Sequence, residues 1–234
     1  SLRRQSWDPG ADGTPGIAGQ DRTQTKSTAN SYAFYVEDNI EAGAKTIITP
    51  GVRFDHHNEF GGNWSPSLNA SYQITDELSV KGGIARAYKT PNLYQSNPNY
   101  LLYSRGAGCS SVEVNIGGCY LVGNPDLKPE ISVNKEIGLA FDKGTWRTSG
   151  TYFRNDYQNK INASNEAAYR LPNGRRVYQW DNSGKAIVQG IEGNLFVTLR
   201  DDLDWNTNLT YMIESKDKET GDPLSIVPKY TVNT

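Results

Sequence analysis

From about residue 30 onward, apolar and polar side chains alternate with a period of two. In 64–74, Pro66, Leu68, Ala70, Tyr72 and Ile74 fall on one side, and Ser65, Ser67, Asn69, Ser71 and Gln73 on the other. In 130–141, Ile131, Val133, Ile137, Leu139 and Phe141 oppose Glu130, Ser132, Asn134 and Glu136. In 204–215, Trp205, Thr207, Leu209, Tyr211 and Ile213 oppose Asn206, Asn208 and Thr210. Successive side chains of a strand point to opposite faces, so this pattern predicts strands with one apolar and one polar face. Nine such segments are predicted, at 30–41, 46–58, 64–74, 78–90, 130–141, 145–159, 185–199, 204–215 and 225–234. Their lengths, 10–15 residues, suit a tilted crossing of a bilayer. Lys135 breaks the pattern, as a cation on the apolar side of its strand. Either it snorkels to an interface or the register there is off by one residue.

The polar faces carry Asn, Ser, Gln and Thr with some acidic residues. A soluble sandwich places charges such as Lys and Glu on its outer face, whereas a barrel lumen takes small polar side chains. Connection lengths point the same way. Short turns are expected near 41–45, 75–77, 142–144 and 200–203, and longer connections at 59–63, 91–129, 160–184 and 216–224. Short and long alternate, as they do where periplasmic turns are short and extracellular loops long. Trp146 and Trp205 each follow a short turn, where an interfacial aromatic girdle lies, although ordinary core tryptophans fit the same positions. Residues 1–29, rich in Gly, Asp, Thr and Gln without periodicity, are expected to be an extracellular loop.

Composition supports β-structure with polar loops: 14 Tyr, 5 Trp and 23 Gly stand against 1 Met, and long helix-forming stretches are missing. The formal charge of −2 gives no reason to expect a nucleic-acid partner. A mean hydropathy of −0.66 without a long apolar run excludes a transmembrane helix but not a transmembrane barrel. No apolar signal region opens the chain.

Cys109 and Cys119 sit in a Gly-rich stretch. In an oxidising compartment they form a disulfide; in a reducing one they are two thiols. A two-Cys metal site lacks a nearby His to complete it. Asp55, His56 and His57 look like a metal cluster, but adjacent strand residues point to opposite faces, so the two imidazoles do not share an ion. Asp8 and Asp12 lack the spacing of a calcium loop. GxSxG, HExxH, P-loop and GxGxxG motifs are missing from their required contexts, which argues against an enzyme, although a barrel enzyme with a site outside these residues is a rival class. A soluble all-β binding or adhesion module is the other rival, and detergent dependence separates it from a barrel.

The stretch GNPDLKPEISVNKEIGL at 123–139 resembles the segment that enters a barrel strand in TonB-dependent receptors. ARAYKTPNLYQ at 85–95 is similar to the strand end that runs into a loop in that family. Further stretches narrow the resemblance to the ferric enterobactin receptor branch: RFDHH, NWSPSLN, NPNYLLYSRGAGC, YFRNDYQNKI, YQWDN and TYMIESKDKETGDPLSIVPKYT. The resemblance implies an all-β fold, an antiparallel transmembrane β-barrel with long extracellular loops, of which residues 30–234 supply about nine strands of 22. It also implies a plug domain and a TonB box, for which this sequence has no counterpart, so the chain is expected to be a barrel fragment.

The same resemblance implies TonB-dependent uptake of a ferric catecholate siderophore across the bacterial outer membrane. The iron is held by the siderophore, so neither a protein metal site nor a cofactor is expected. Expected partners are the siderophore, the TonB–ExbB–ExbD complex, outer-membrane lipid and lipopolysaccharide, and the colicins or phages that exploit such receptors. A ferric tris-catecholate is a bulky trianion with aromatic rims, and its site calls for fixed positive charge and flat aromatic surfaces. The 91–129 connection offers Tyr94, Gln95, Tyr100, Tyr103, Arg105 and Tyr120; the 160–184 connection offers Arg175, Arg176, Tyr178 and Trp180. Arg105 is the leading candidate, because a basic residue before the first loop cysteine is associated with siderophore capture in the receptors it resembles. The plainer reading of these Arg and Tyr is solvated loop decoration, and Arg175-Arg176 follows the hairpin-tip pair Asn173-Gly174.

Overall fold

A computed structural model describes residues 28–106, 108–218, 221, 223–224 and 228–234. The expected loop at 1–29, with Asp8 and Asp12, therefore lies almost wholly outside the described residues. In chain order the elements are β1 (Ser31–Glu37), β2 (Ile40–Glu41), β3 (Thr46–His57), β4 (Gly61–Gln73), β5 (Leu78–Lys89), α1 (Leu93–Ser96), β6 (Leu101–Ser104), α2 (Ser111–Asn115) and β7 (Cys119–Val122). They continue with β8 (Glu130–Asp142), β9 (Trp146–Ala163), β10 (Tyr169–Arg170), β11 (Arg176–Arg200), β12 (Leu203–Asp217) and β13 (Tyr230–Asn233). The main path runs β1-β3-β4-β5-β8-β9-β11-β12-β13, one unclosed wall of antiparallel neighbours. This is the barrel wall the alternation predicts.

Register assigns the faces. Ile137, Tyr152, Ile191 and Tyr211 lie side by side across β8, β9, β11 and β12. The next row of the same face is Leu139, Gly150, Gly193, Leu209 and Val232. Most of these side chains are large, apolar and exposed, as a lipid-facing surface requires. Along β12 the apolar face runs from Leu203 to Ile213. At about 3.4 Å per residue and a 45° tilt that span is roughly 24 Å tall, close to the ~25 Å apolar band of an outer-membrane barrel. Trp146 and Trp205 both flank Val197 on this face beside the short turns, and Trp146 packs on Phe141 with 4.7 Å between ring centroids. The opposite face is small and polar: Asn194 donates to both Asn206 (3.1 Å) and Asn208 (2.6 Å).

Several expectations are corrected. The connection expected at 59–63 is a tight turn over 58–60, so long and short do not alternate there. The Glu59 amide donates to His57 Nδ1, the Phe60 ring lies on His57, and Gly61 at φ 72 returns the chain directly into β4. The 160–184 connection is largely strand, because β9 runs on to Ala163 and β11 starts at Arg176. The 91–129 connection holds two short helices and two strands rather than open loop. Of the segment expected at 225–234, the described strand is Tyr230–Asn233. One pair departs from the antiparallel rule: β7 runs parallel to the start of β11.

Lys135 does lie on the apolar face, paired with Arg154, and its Nζ donates to Asp156 at 3.2 Å, so the register is right and the cation is held by a carboxylate. His56 stacks on Tyr32 (4.9 Å) while His57 packs on Phe60, each on its own side of β3.

Candidate functional site

Above the wall, β6, β7, the start of β11 and β10 form a small second sheet, here called the lid. Its strands are short but apolar on both faces. Tyr120, Val122, Val177 and Leu171 pack on one face, with Leu101 and Tyr169 against them. Cys119, Leu121 and Tyr178 pack on the other, with Leu102, Ala163 and Trp180. Period two distributes neighbours in β7 to the two faces. Nearly all of the buried apolar side chains of the described residues belong to the lid and its junction with the wall, because a wall one sheet thick cannot bury anything by itself.

Cys109 and Cys119 are bonded to each other, which ties the segment carrying α2 to the start of β7. Closing a loop of ten-residue separation stabilises the ordered form by about 3 kcal/mol on chain-entropy grounds. Gly118 (φ +107) enters β7 where a Cβ would lie 2.2 Å from the Ser104 carbonyl oxygen, so glycine is required for the close β6–β7 approach. Gly123 leaves β7 under the same constraint, against the Asn97 carbonyl.

Two asparagines join the lid to the wall. Asn182 accepts from the Lys128 amide (2.6 Å) and donates to the Lys128 and Asn159 carbonyls (2.8 and 2.9 Å). Asn124 donates to the Trp180 carbonyl at 2.9 Å. Neither was expected at the site, although both stand in the motifs GNPDLKPE and YQWDN. Asn182→Ala deletes three hydrogen bonds at one junction. A local destabilisation of about 1–3 kcal/mol is expected, read as faster amide exchange over 124–130, with exchange in 146–154 unchanged.

The ten expected ligand residues divide into three groups. Arg105, Tyr103 and Arg175 meet at the lid surface. The Arg175 guanidinium lies 5.2 Å and that of Arg105 6.0 Å from the Tyr103 ring centroid. The Tyr103 hydroxyl donates to the Gly117 carbonyl and accepts from Arg175 Nη1 (2.9 Å), with Arg105 Nε at 3.5 Å. Arg175 also donates to the Gly117 carbonyl at 3.2 Å. Arg105, and with it Arg175, hold the Tyr103 phenol below the usual tyrosine range; the Arg175 contact is the shorter. Tyr103 and Arg105 are exposed and Arg175 half-buried.

The second group is aromatic and half-buried: Tyr94 faces Trp180 edge-on at 6.2 Å and Tyr100 at 6.4 Å. The third is structural. Tyr120 and Tyr178 are lid core, and Tyr120 packs under Tyr103 with ring centroids 5.2 Å apart. Gln95 is buried and accepts from the Asn92 amide at 2.9 Å, closing the start of α1. Arg176 pairs at 3.0 Å with Glu113, a side chain only 3 % exposed that the sequence reading did not single out. That pair pins α2 to the start of β11.

The family model described as "TonB dependent receptor-like, beta-barrel" matches residues 2–234. The ferric enterobactin receptor PirA of Pseudomonas aeruginosa is 55 % identical over 96 % of this chain and 30 % of its own length. The ferrienterobactin receptor of Escherichia coli K12 is 51 % identical over 94 % of this chain and 29 % of its own length. Among solved structures, the siderophore receptor PirA from Pseudomonas aeruginosa superposes with a TM-score of 0.76 at 56 % identity, over 82 % of this chain and 36 % of that one. The ferric enterobactin receptor PfeA in complex with BCV-L6 superposes with a TM-score of 0.77 at 49 % identity, over 92 % and 31 %. The chain thus spans about a third of the length of the relatives it matches.

Proposed function

The chain belongs to the TonB-dependent receptor family of outer-membrane β-barrels, and on that premise we propose that it supplies wall strands and capture loops for TonB-dependent uptake of a ferric catecholate siderophore. The observation that carries this reading is the Arg105–Tyr103–Arg175 cluster on a disulfide-closed lid. Two guanidinium groups gather at one tyrosine ring, which matches the charge and the flat rims of a ferric tris-catecholate trianion. The lid core and the Cys109–Cys119 bond keep that cluster ordered before ligand arrives, so less ordering entropy is lost on binding.

Further support comes from the relatives, which are ferric enterobactin and siderophore receptors. The wall contributes a small polar lumen face, and passage through it is driven by the TonB–ExbB–ExbD complex. No nucleophile or acid–base step belongs to this reading; it is binding followed by transport. The test is titration of the intact protein, purified from outer membranes in detergent, with ferric enterobactin and with an uncharged ferric hydroxamate. Tight binding of the catecholate alone is expected. Failure to bind any ferric catecholate, or equal affinity for the hydroxamate, would overturn the assignment. The reading as a soluble binding module is disfavoured by the exposed apolar face, which a soluble protein does not leave open.

A further inference from the structure

Tyr103 stands at the lid surface, 39 % exposed. Its hydroxyl oxygen accepts from Arg175 Nη1 at 2.9 Å and has Arg105 Nε at 3.5 Å, while its proton goes to the Gly117 carbonyl. Because Arg105 and Arg175 hold the phenol below the usual tyrosine range, it gives up that proton more readily than an isolated one. The other tyrosines of the site are placed differently. Tyr120 and Tyr178 are lid core. Tyr94 accepts from the Asn92 side chain at 3.2 Å and sets its ring against Trp180.

A phenolate oxygen is an anionic donor that ferric iron accepts, as the tyrosine-bound haem of catalase shows. The guanidinium groups beside Tyr103 have no lone pair to give, so they stabilise its phenolate without competing for the metal. The oxygen is also held in place. Tyr103 pairs with Tyr120 and Ser104 with Cys119 across β6 and β7, and Cys119 is bonded to Cys109. Such a donor is ordered before any metal arrives. No chelating set surrounds it: Glu113 is engaged by Arg176 and buried, and among the described residues no group of three His, Cys, Asp or Glu could hold a metal. A single donor can fill a vacant position on iron, but it cannot strip iron from a multidentate ligand.

We propose that the Tyr103 oxygen binds iron directly in ferric catecholates whose metal is incompletely wrapped, bis-catecholate complexes above all. The proposal rests on the reading of the lid as a catecholate site. A tris-catecholate fills every position of octahedral iron, and Tyr103 then meets only its outer surface. A bis-catecholate leaves positions to water. There the bond from iron to the Tyr103 oxygen forms, an iron–water bond breaks, and the phenol proton leaves to solvent, with iron ferric throughout. The charges then balance. A ferric bis-catecholate is a monoanion, the phenolate makes the adduct a dianion, and Arg105 and Arg175 supply two positive charges at the same oxygen.

The experiment uses the intact detergent-purified protein, prepared with and without ring-deuterated tyrosine. Its probes are ferric enterobactin and the one-to-one ferric complex of a synthetic linear bis-catecholamide. With the bis-catecholate bound, resonance Raman spectra excited in the iron charge-transfer band should carry phenolate ring modes that move with the deuterium label, which the catechols lack. Bound ferric enterobactin should carry none. Tyr103→Phe should abolish the label-sensitive modes and weaken the bis-catecholate at least about 10-fold more than ferric enterobactin, the scale on which metal sites respond to loss of a supporting group. The ratio of the two losses is the informative quantity, because loosening of the lid through the lost Gly117 contact weakens both probes alike. Absence of label-sensitive modes from wild type, their survival in Tyr103→Phe, or equal weakening of both probes overturns the proposal. If ferric enterobactin still binds wild type in such a case, the catecholate reading of the lid stands without it. If neither probe binds wild type, both fall.

Discussion

Replacing Arg105 and Arg175 together by alanine is expected to weaken capture of ferric enterobactin by about 100-fold or more. Each guanidinium donates charge-assisted hydrogen bonds, which contribute about 1.5–3 kcal/mol apiece when a charged partner accepts them. Both contact Tyr103, so their losses will not simply add. Arg105→Ala alone is the cleaner probe. Its contacts among the described residues are to Tyr103, and deleting it leaves the lid's Gly117 anchor in place. Arg175→Ala also removes donors to Tyr103 and the Gly117 carbonyl, so part of its effect will be disorder of the lid. Fluorescence titration at two salt concentrations distinguishes these. A capture residue changes affinity and its salt dependence together. A purely structural one raises amide exchange across 101–122 without changing the salt dependence. Arg105→Lys should fall between wild type and alanine, because it keeps the charge and loses the fork. If both single variants and the double bind as wild type does, capture lies elsewhere.

The wall was legible because one physical rule, the period of two, acts along nearly all of it and slips only at the bulges of β11 and β12. Lys135 shows how far that rule reaches. Its position allows either a snorkelling cation or an error of register; the register is correct, and a carboxylate partner on the next strand holds it that no local pattern reveals. The turn at 58–60 was misjudged for the opposite reason. Gly61 and Gly62 read as loop, yet they are the first residues of β4, and the positive φ of Gly61 is what makes the turn short.

The lid was less legible, since its order comes from contacts distant in sequence. Residues such as Tyr120, Tyr178 and Gln95 were picked for their chemistry, which is the same whether a side chain is a core residue or a ligand contact. Burial separates the two, and burial in the lid depends on β7 lying parallel to β11, a pairing of residues more than 50 positions apart. Asn182 and Glu113 were missed because their partners, Lys128 and Arg176, are equally remote in sequence. The pair Arg105 and Arg175 shows what the fold adds to the sequence. They were chosen from two different connections, and they meet over one tyrosine because the disulfide and the β6–β7–β11 sheet fold those connections together.

Adjacent residues of β12 should respond in opposite ways to the same substitution. Leu209 sits midway along the apolar face of β12, 43 % exposed and flanked by Gly193 and Val232 on the neighbouring strands. Leu209→Arg places a cation at the depth of the bilayer midplane, at a cost of about 2–4 kcal/mol. Asn208 points to the polar face, where Asn194 donates to it at 2.6 Å. Asn208→Arg loses that one bond but keeps its charge in a polar lumen, and about 1 kcal/mol or less is expected. Denaturant titration of the intact protein folded in lipid vesicles reads both values. The contrast tests the assignment of faces itself, independently of what the receptor carries. A wall whose faces were reversed would give the larger loss at position 208, and a soluble sheet would tolerate arginine at 209, on its solvent side. Trp205 offers an internal check, because it lies on the same face near the short turn, at interface depth. Trp205→Arg should therefore cost much less than Leu209→Arg, since the penalty for a cation falls steeply from midplane to interface.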